Sequence, residues 1–328
     1  MSIQETFKSF SKLNALIIGD VMIDAYMWGN VSRISPEAPV PIVAVNKREN
    51  RLGGAANVAL NVQAMGANPI LCSVIGNDTG GDLFIDLLKK QKLSTEGILK
   101  SSNRTTTIKT RVIGNNHQML RIDEEIETPI INKEAESLVF VIKKLITNKK
   151  VNVVIFEDYD KGVITPALIK TIVTFAKQKN IPTVVDPKKK NFMSYTGVTM
   201  FKPNLKELKE GLKSEFDHND TKQLGKAVEG FIKKQNIDTA LITLSEKGIY
   251  THNKKSKTLI PAHIRNISDV SGAGDTVVSV AALCLALNLS PVLTATLANL
   301  AGGLVCEKVG VVPVDKQQLL EEAIALKL

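Results

Sequence analysis

The stretch Asp269-Val270-Ser271-Gly272-Ala273-Gly274-Asp275-Thr276-Val277-Val278-Ser279 sets two glycines and two carboxylates directly ahead of an apolar run. A turn into a helix needs the glycines, but it does not need an aspartate on each side. Glycines let backbone N–H groups converge on an anion, and a helix N-terminus adds partial positive charge. Asp275 then has two readings. It is an N-cap that satisfies orphan N–H groups, or it is a general base that takes a proton from an attacking hydroxyl. A positioned base contributes roughly 10²–10⁴-fold. The stretch alone leaves both readings open.

The whole chain supports an α/β setting for this loop. Its 328 residues are 44% hydrophobic and 23% charged, the balance of a soluble globular protein. Asn14–Gly19 (NALIIG) reads as a buried strand, and further strands are expected at 69–74, 151–156, 182–186, 198–201 and 239–243. Helices are expected at 58–65, 82–90, 165–179, 221–235, 275–287 and 291–307. Strands alternating with helices imply a mostly parallel sheet covered on both faces. Two segments break the pattern. Residues 22–48 carry Pro36, Pro39 and Pro41, and 105–113 with 118–123 read as a hairpin around Gly114-Asn115-Asn116, so together they form a small β lobe. Ligands of such sheets bind outside the carboxyl ends of the strands. Asp20, Asp24, Asp158, Asp186, Asn204, Ser245 and Asp269 are expected there.

Several chemistries are absent from the sequence. The first strand does not run into a Gly-x-Gly-x-x-Gly turn, and there is no Gly-x-x-x-x-Gly-Lys-Ser/Thr loop and no Gly-x-Ser-x-Gly elbow. His117, His218, His252 and His263 are scattered without metal spacing, and Cys72, Cys284 and Cys306 sit among apolar residues. The net charge of +9 favours anionic partners, yet aromatics are only 5%, which speaks against a stacking platform for nucleic acid. The longest apolar stretch, Val277 to Leu289, is too short to span a bilayer, and MSIQETFKSF has no apolar signal region, so a cytoplasmic location is expected.

Asp-Val-Ser-Gly-Ala-Gly-Asp-Thr (269–276) closely resembles the C-terminal signature of ribokinase-like (PfkB-type) carbohydrate kinases. Three more segments resemble that family in order: Leu52-Gly53-Gly54-Ala55-Ala56-Asn57-Val58-Ala59, Lys202-Pro203-Asn204-Leu205-Lys206-Glu207 and Thr243-Leu244-Ser245-Glu246-Lys247-Gly248. The resemblance narrows to D-glycero-β-D-manno-heptose 7-phosphate kinases on Gly19–Asp24, Ser32–Pro41, Arg111 with His117–Asp123, and Asp158-Tyr159-Asp160-Lys161-Gly162-Val163. Glu157 departs from that pattern, which often has serine there. The chain ends at Leu328 without the His-x-Gly-His motif of an appended nucleotidyltransferase domain, so it resembles the single-function form, one kinase domain over 1–328.

What the resemblance implies is a ribokinase-like fold with a β lid from about 22–48 and 105–128, and transfer of the ATP γ-phosphoryl group to the anomeric hydroxyl of the heptose. Asp275 would be the base, and the backbone of Gly272, Ala273 and Gly274 would hold the phosphoryl charge. Asp24, Asn57 and Asp20, with Gly53 and Gly54, would bind the sugar. Arg111, Arg121, Lys161 and the segment at Asp158 would serve the phosphorylated substrate, with Arg33 and Lys188 as further candidate cations. Lys202, Thr243, Ser245, Gly248 and Asn299 would line the nucleotide pocket. Asn204 and Glu207 would orient Mg²⁺ through its waters, although Pro203 and Glu207 read equally as a helix start. Asp269 and Ser271 match a monovalent-cation position, for which K⁺ is the natural ion. The lid implies a homodimer, and neither nucleic acid nor membrane is an expected partner. Two other readings stand beside this one: a kinase for another sugar or sugar phosphate, and a sugar- or nucleotide-binding regulator without catalysis.

Overall fold

The computed structural model describes residues 2–214, 216 and 220–328; His218 lies outside them. In chain order the strands are β1 (Asn14–Gly19), β2 (Val21–Ile34), β3 (Pro41–Gly54), β4 (Asn68–Gly76), β5 (Gly97–Ser101), β6 (Ile108–Gly114) and β7 (His117–Glu124). They continue as β8 (Val153–Glu157), β9 (Thr183–Asp186), β10 (Met200–Phe201), β11 (Thr239–Thr243), β12 (Ile249–Asn253) and β13 (Lys257–Ile260). Among the described residues they form a nine-stranded sheet, ordered β13-β12-β11-β10-β9-β8-β1-β4-β5, and a four-stranded sheet, ordered β3-β2-β6-β7.

Strand alternation explains the layering. In β1, Leu16 and Ile18 enter one core while Ala15 and Ile17 enter the other. In β8, Val154 and Phe156 point the first way and Val153 and Ile155 the second. A strand buried on both faces reads as a continuous apolar run, which is why NALIIG is legible. One face is covered by helices that include Ala55–Ala64, Ala273–Ala286 and Pro291–Cys306, and the other by Asn132–Asn148, Pro166–Gln178 and Thr221–Gln235.

Strands β5, β4, β1, β8, β9, β10 and β11 are parallel, while β12 and β13 add an antiparallel edge. The sequence reading did not include β5, β12, β13, or the helices Ile3–Ser9 and Lys316–Ala325. β13 is half exposed and the two helices are short, so their apolar signal is weak. The chain leaves β1 toward β4 on one side and later returns to β8 on the other, so β1 and β8 flank the switch point of the sheet.

The small sheet grows directly from this point. Only Asp20 separates β1 from β2, and β3 ends at Gly54, the residue before the helix Ala55–Ala64. That helix starts three residues ahead of the expected Val58, because Gly54 serves as its N-cap. The hairpin turn sits where expected, with Asn115 and Asn116 at φ of 51° and 66°, the left-handed pair of a tight two-residue connection. Among the described residues, no helix is long and apolar enough to cross a membrane.

One buried amide ties the helices of the first core together. Asn61 Oδ1 accepts from Thr276 Oγ1 and from the Val314 N–H, each at 3.0 Å, and its Nδ2 donates to Asn57 O at 3.0 Å. Asn61→Ala strands the Val314 N–H in a dry core, and a buried unsatisfied donor costs about 1–3 kcal/mol. The expected result is a lower urea midpoint with an unchanged slope; a midpoint equal to that of the native chain would show that this network carries no stability.

Candidate active site

Asp275 is not the N-cap of its helix. Gly272 holds that position, with φ of 79° and no side-chain cap bond, and Asp275 lies in the first turn. The left-handed backbone explains the glycine; a Cβ there would also come within 3.0 Å of Asn57 Nδ2. The Asp275 carboxylate instead turns inward, where Oδ2 accepts from Asn57 Nδ2 at 2.7 Å and Oδ1 from the Tyr159 hydroxyl at 2.8 Å. It is 5% exposed. Burial pushes it up to about 6, while the Asn57 and Tyr159 hydrogen bonds pull the other way. A buried carboxylate with a pKa near neutrality is suited to proton abstraction. The helix start beside it leaves the Gly274 and Asp275 N–H groups without intrahelical acceptors. The Ala273 N–H donates to Val270 O at 3.3 Å, so Ala273 is the weakest of the three expected anion donors.

The carboxyl ends of β8, β9 and β10 supply a buried charge cluster. Lys202 Nζ pairs with Asp186 Oδ2 at 2.7 Å, and a Cβ on Gly274 would lie 3.6 Å from both atoms, so this pair faces the glycine loop. Burial opposes the Lys202 ammonium, but Asp186 and Glu207 outweigh it and hold its pKa above the ordinary lysine value. Glu157 is 1% exposed; burial, then the Asp186 and Asp275 charges, raise its pKa well above the usual carboxylate range. Glu157 Oε2 and Asp186 Oδ1 are buried without a hydrogen-bond partner.

Asn204 and Glu207 form a capping box on the helix Leu205–Leu212. Asn204 Oδ1 accepts the Glu207 N–H, and Glu207 Oε2 accepts the Asn204 N–H, both at 2.8 Å. The other Glu207 oxygen pairs with Lys188. Asn204 also bridges to Thr243, which brings the end of β11 and the exposed Ser245 beside it, with Gly248 closing the turn. Asn299, half-buried, donates to Pro261 O at 2.8 Å and anchors the segment that leads to Asp269.

Near the base of the small sheet, Asp24 lies four residues into that sheet at 4% exposure, not at an end of the large one. Its carboxylate pairs with Arg111, and Gly53 makes room for it, since a Cβ there would stand 2.2 Å from Asp24 Oδ2. Arg111 and Arg51 both lie over the Tyr26 ring, at 5.3 and 5.0 Å. Arg51 also reaches Val311 O at 3.4 Å, beside the loop where Gly310 donates to Asp269 Oδ2 at 2.9 Å. Asp269 Oδ1 accepts the Ser271 N–H at 2.9 Å, so this carboxylate orders the loop through backbone amides.

Four expected substrate residues are committed elsewhere. Asp20 accepts the N–H groups of Tyr159, Lys161 and Val163 at 2.9, 3.1 and 3.0 Å, which folds the 158–163 loop around it. Asp158 accepts from Asp160 N, Asn191 Nδ2 and Tyr195 OH; burial and then Asp20 push it up to about 6. Lys161 is held by Glu125 at 2.8 Å and Glu127 at 3.0 Å, and Arg121 by Asp123 at 2.9 Å. Asn57, expected on the sugar, spends an amide hydrogen on Asp275. Conversely, the sequence reading assigned no role to Tyr159 or Arg51. Tyr159 lies inside the segment 158–163, but only the fold turns its hydroxyl to Asp275.

Residues 12–317 match the pfkB family of carbohydrate kinases. The chain is 36% identical over 320 residues to the bifunctional protein HldE of Geobacter metallireducens, covering 97% of this chain and 64% of that protein. It is 40% identical over 311 residues to the bifunctional protein HldE of Desulfatibacillum aliphaticivorans, covering 94% and 63%. The chain thus spans somewhat less than two thirds of these relatives. Phosphofructokinase-2 of Escherichia coli in complex with potassium superposes with a TM-score of 0.78 at 16% identity, over 96% of this chain and 99% of that one. Ribokinase of Arabidopsis thaliana complexed with ribose and ATP superposes with a TM-score of 0.72 at 15% identity, over 94% and 99%. These two likenesses establish a ribokinase-like fold.

The raised Asp275 carboxyl couples stability to pH. A folded pKa above the unfolded value of about 4 contributes stability that is present below that value and is lost as pH rises through about 6. Asp275→Asn removes this loss. The variant is expected to melt above the native protein at pH 8, with the gap shrinking toward pH 4. A melting difference independent of pH would mean that the carboxyl is not raised.

Proposed function

This chain belongs to the pfkB family of carbohydrate kinases, and we propose that it phosphorylates D-glycero-β-D-manno-heptose 7-phosphate at the anomeric C1 hydroxyl. The product is the 1,7-bisphosphate, a precursor on the route to ADP-heptose and lipopolysaccharide core. The observation that carries the kinase chemistry is the buried, raised Asp275 carboxylate beside the first-turn N–H groups of its own helix. That pairing suits phosphoryl transfer, which needs a positioned hydroxyl and fixed donors for the phosphoryl charge. Similarity to the HldE proteins along 320 residues supports the heptose substrate, as do the segments around Asp24, Arg111 and Asp158. The 7-phosphate of that substrate calls for a cation, and Arg111, with Arg51 beside it on Tyr26, is our assignment.

ATP would lie along Lys202, Asn204, Thr243–Gly248 and the segment anchored by Asn299. Asn204 and Glu207 offer oxygen donors that already hold each other and Lys188, which fits Mg²⁺ carried through its own waters better than direct ligation. Among the described residues, no group of three or more His, Cys, Asp or Glu is arranged to cage a metal. When bound, Mg²⁺ neutralises phosphate charge. Asp269, an anion at the glycine loop, is the place where K⁺ would act.

Two measurements test this reading. A panel of sugars and sugar phosphates with ATP is expected to show turnover on the heptose 7-phosphate; turnover on ribose or fructose alone would overturn the substrate. Asp275→Asn is expected to keep nucleotide binding and lose roughly 10²–10⁴-fold in kcat.

We also propose a homodimer through the small sheet, which exposes Ile34, Val45, Leu120 and Ile122. Sedimentation is expected to show a dimer for the native chain and a monomer for Leu120→Glu. A monomeric native chain at micromolar concentration would refute this interface.

A further inference from the structure

Tyr159 makes a contact to Asp275 that the family resemblance does not explain. We propose that the Tyr159 hydroxyl is a positioning group for the base: it donates to Asp275 Oδ1 and so keeps the carboxylate ionised and aimed at the acceptor hydroxyl. This rests on the reading of Asp275 as the base.

The geometry leaves the phenol one role. The Tyr159 hydroxyl lies 2.8 Å from Oδ1 and the Asn57 amide 2.7 Å from Oδ2. An ionised carboxylate only accepts, so both neighbours donate, and each oxygen keeps a further acceptor position for the substrate O–H. The tyrosine is fixed from two sides. Its backbone N–H is held by Asp20 Oδ2 at 2.9 Å, and the Lys188 ammonium stands 5.3 Å from its ring centre, itself paired with Glu207. A cation on the ring face draws electron density from the phenol and strengthens it as a donor. Its own proton stays in place: burial, then the Asp275 and Glu157 charges, raise the Tyr159 pKa well above the ordinary phenol value.

The surrounding charges show why such a donor matters. Glu157 at the end of β8 and Asp186 at the end of β9 both oppose a charge on Asp275, and Lys202 beyond β10 favours it. Burial is the largest opposing influence. Against these stand Lys202 and two hydrogen bonds, one of them from Tyr159. In the reaction, the acceptor O–H proton passes to the Asp275 carboxylate as the sugar oxygen bonds to the γ-phosphorus. The bond from that phosphorus to the bridging oxygen breaks, and ADP leaves with it. Tyr159 exchanges no proton in this step.

Tyr159→Phe keeps the ring, its packing and the lysine above it, and removes only the donor. With ATP and the sugar phosphate that the native enzyme turns over, kcat near pH 7 is expected to fall about tenfold while both KM values stay within about twofold. The acid limb of kcat/KM is expected to move up by about one pH unit, because the lost hydrogen bond favoured the ionised base. Substrate phosphates titrate near pH 6 in both enzymes alike, so the difference between the two profiles belongs to the base. A uniform loss of kcat with an unmoved acid limb would reduce Tyr159 to a packing residue and overturn the inference. Asp275→Asn separates the two failures. If it keeps turnover, the base reading itself falls; if it loses turnover while Tyr159→Phe matches the native profile, only the role of Tyr159 falls.

Discussion

Everything around the site answers one constraint, the burial of a carboxylate at Asp275. Taking an ionised carboxylate out of water costs several kcal/mol unless hydrogen bonds replace the lost hydration. Two parts of the chain that are far apart in sequence supply that replacement. Asn57 comes from the helix after β3 and Tyr159 from the loop after β8. The compensation is incomplete, since Asp275 still rises to about 6. A carboxylate left partly unsatisfied is a better proton acceptor than one fully solvated, so the same deficit that weakens the fold raises the basicity of this carboxylate.

The topology of the sheet brings these parts together. β1 lies between β4 and β8, where the direction of sheet growth reverses, and Asp20 stands at its carboxyl end. By accepting three N–H groups of the 158–163 loop, Asp20 bends that loop so that Tyr159 reaches Asp275. Asp20 therefore acts on the site through the backbone. Asn61 performs the matching task on the other side, tying the Asn57 helix to the Asp275 helix through Thr276.

A chain of alternating charges joins the small sheet to the large one. It runs Arg121, Asp123, Lys109, Glu125, Lys161, Glu127, Lys190, with each neighbouring pair 2.7–3.0 Å apart. Single exposed pairs of this kind contribute little, but a continuous ladder restrains several side chains at once. It neutralises lysines and arginines that would otherwise stand as free cations beside the small sheet. It also explains why lysine and arginine positions read as phosphate binders can instead hold the two sheets in register with each other.

The sequence by itself determined the elements whose signals are local. NALIIG reads as β1 because burial on both faces demands an unbroken apolar run, and Gly272 marks a turn whose left-handed backbone disfavours an ordinary side chain. Pro203 and Glu207 read as a helix start, and the structure opens that helix on Asn204 as its N-cap. The ordered kinase segments likewise identify the family without a structure. Only the tertiary structure decided what each carboxylate and cation touches. Asp20, Asp158 and Lys161 sit in motif segments, yet they are spent on loop amides, on Asn191 with Tyr195, and on Glu125 with Glu127. Asp275 could have capped its own helix; the partners that turned it inward lie 218 and 116 residues away. The physical reason is that hydrogen bonds and ion pairs act over about 3 Å in space. A chain folded across a doubly covered sheet chooses those neighbours by topology, which adjacency in sequence does not record.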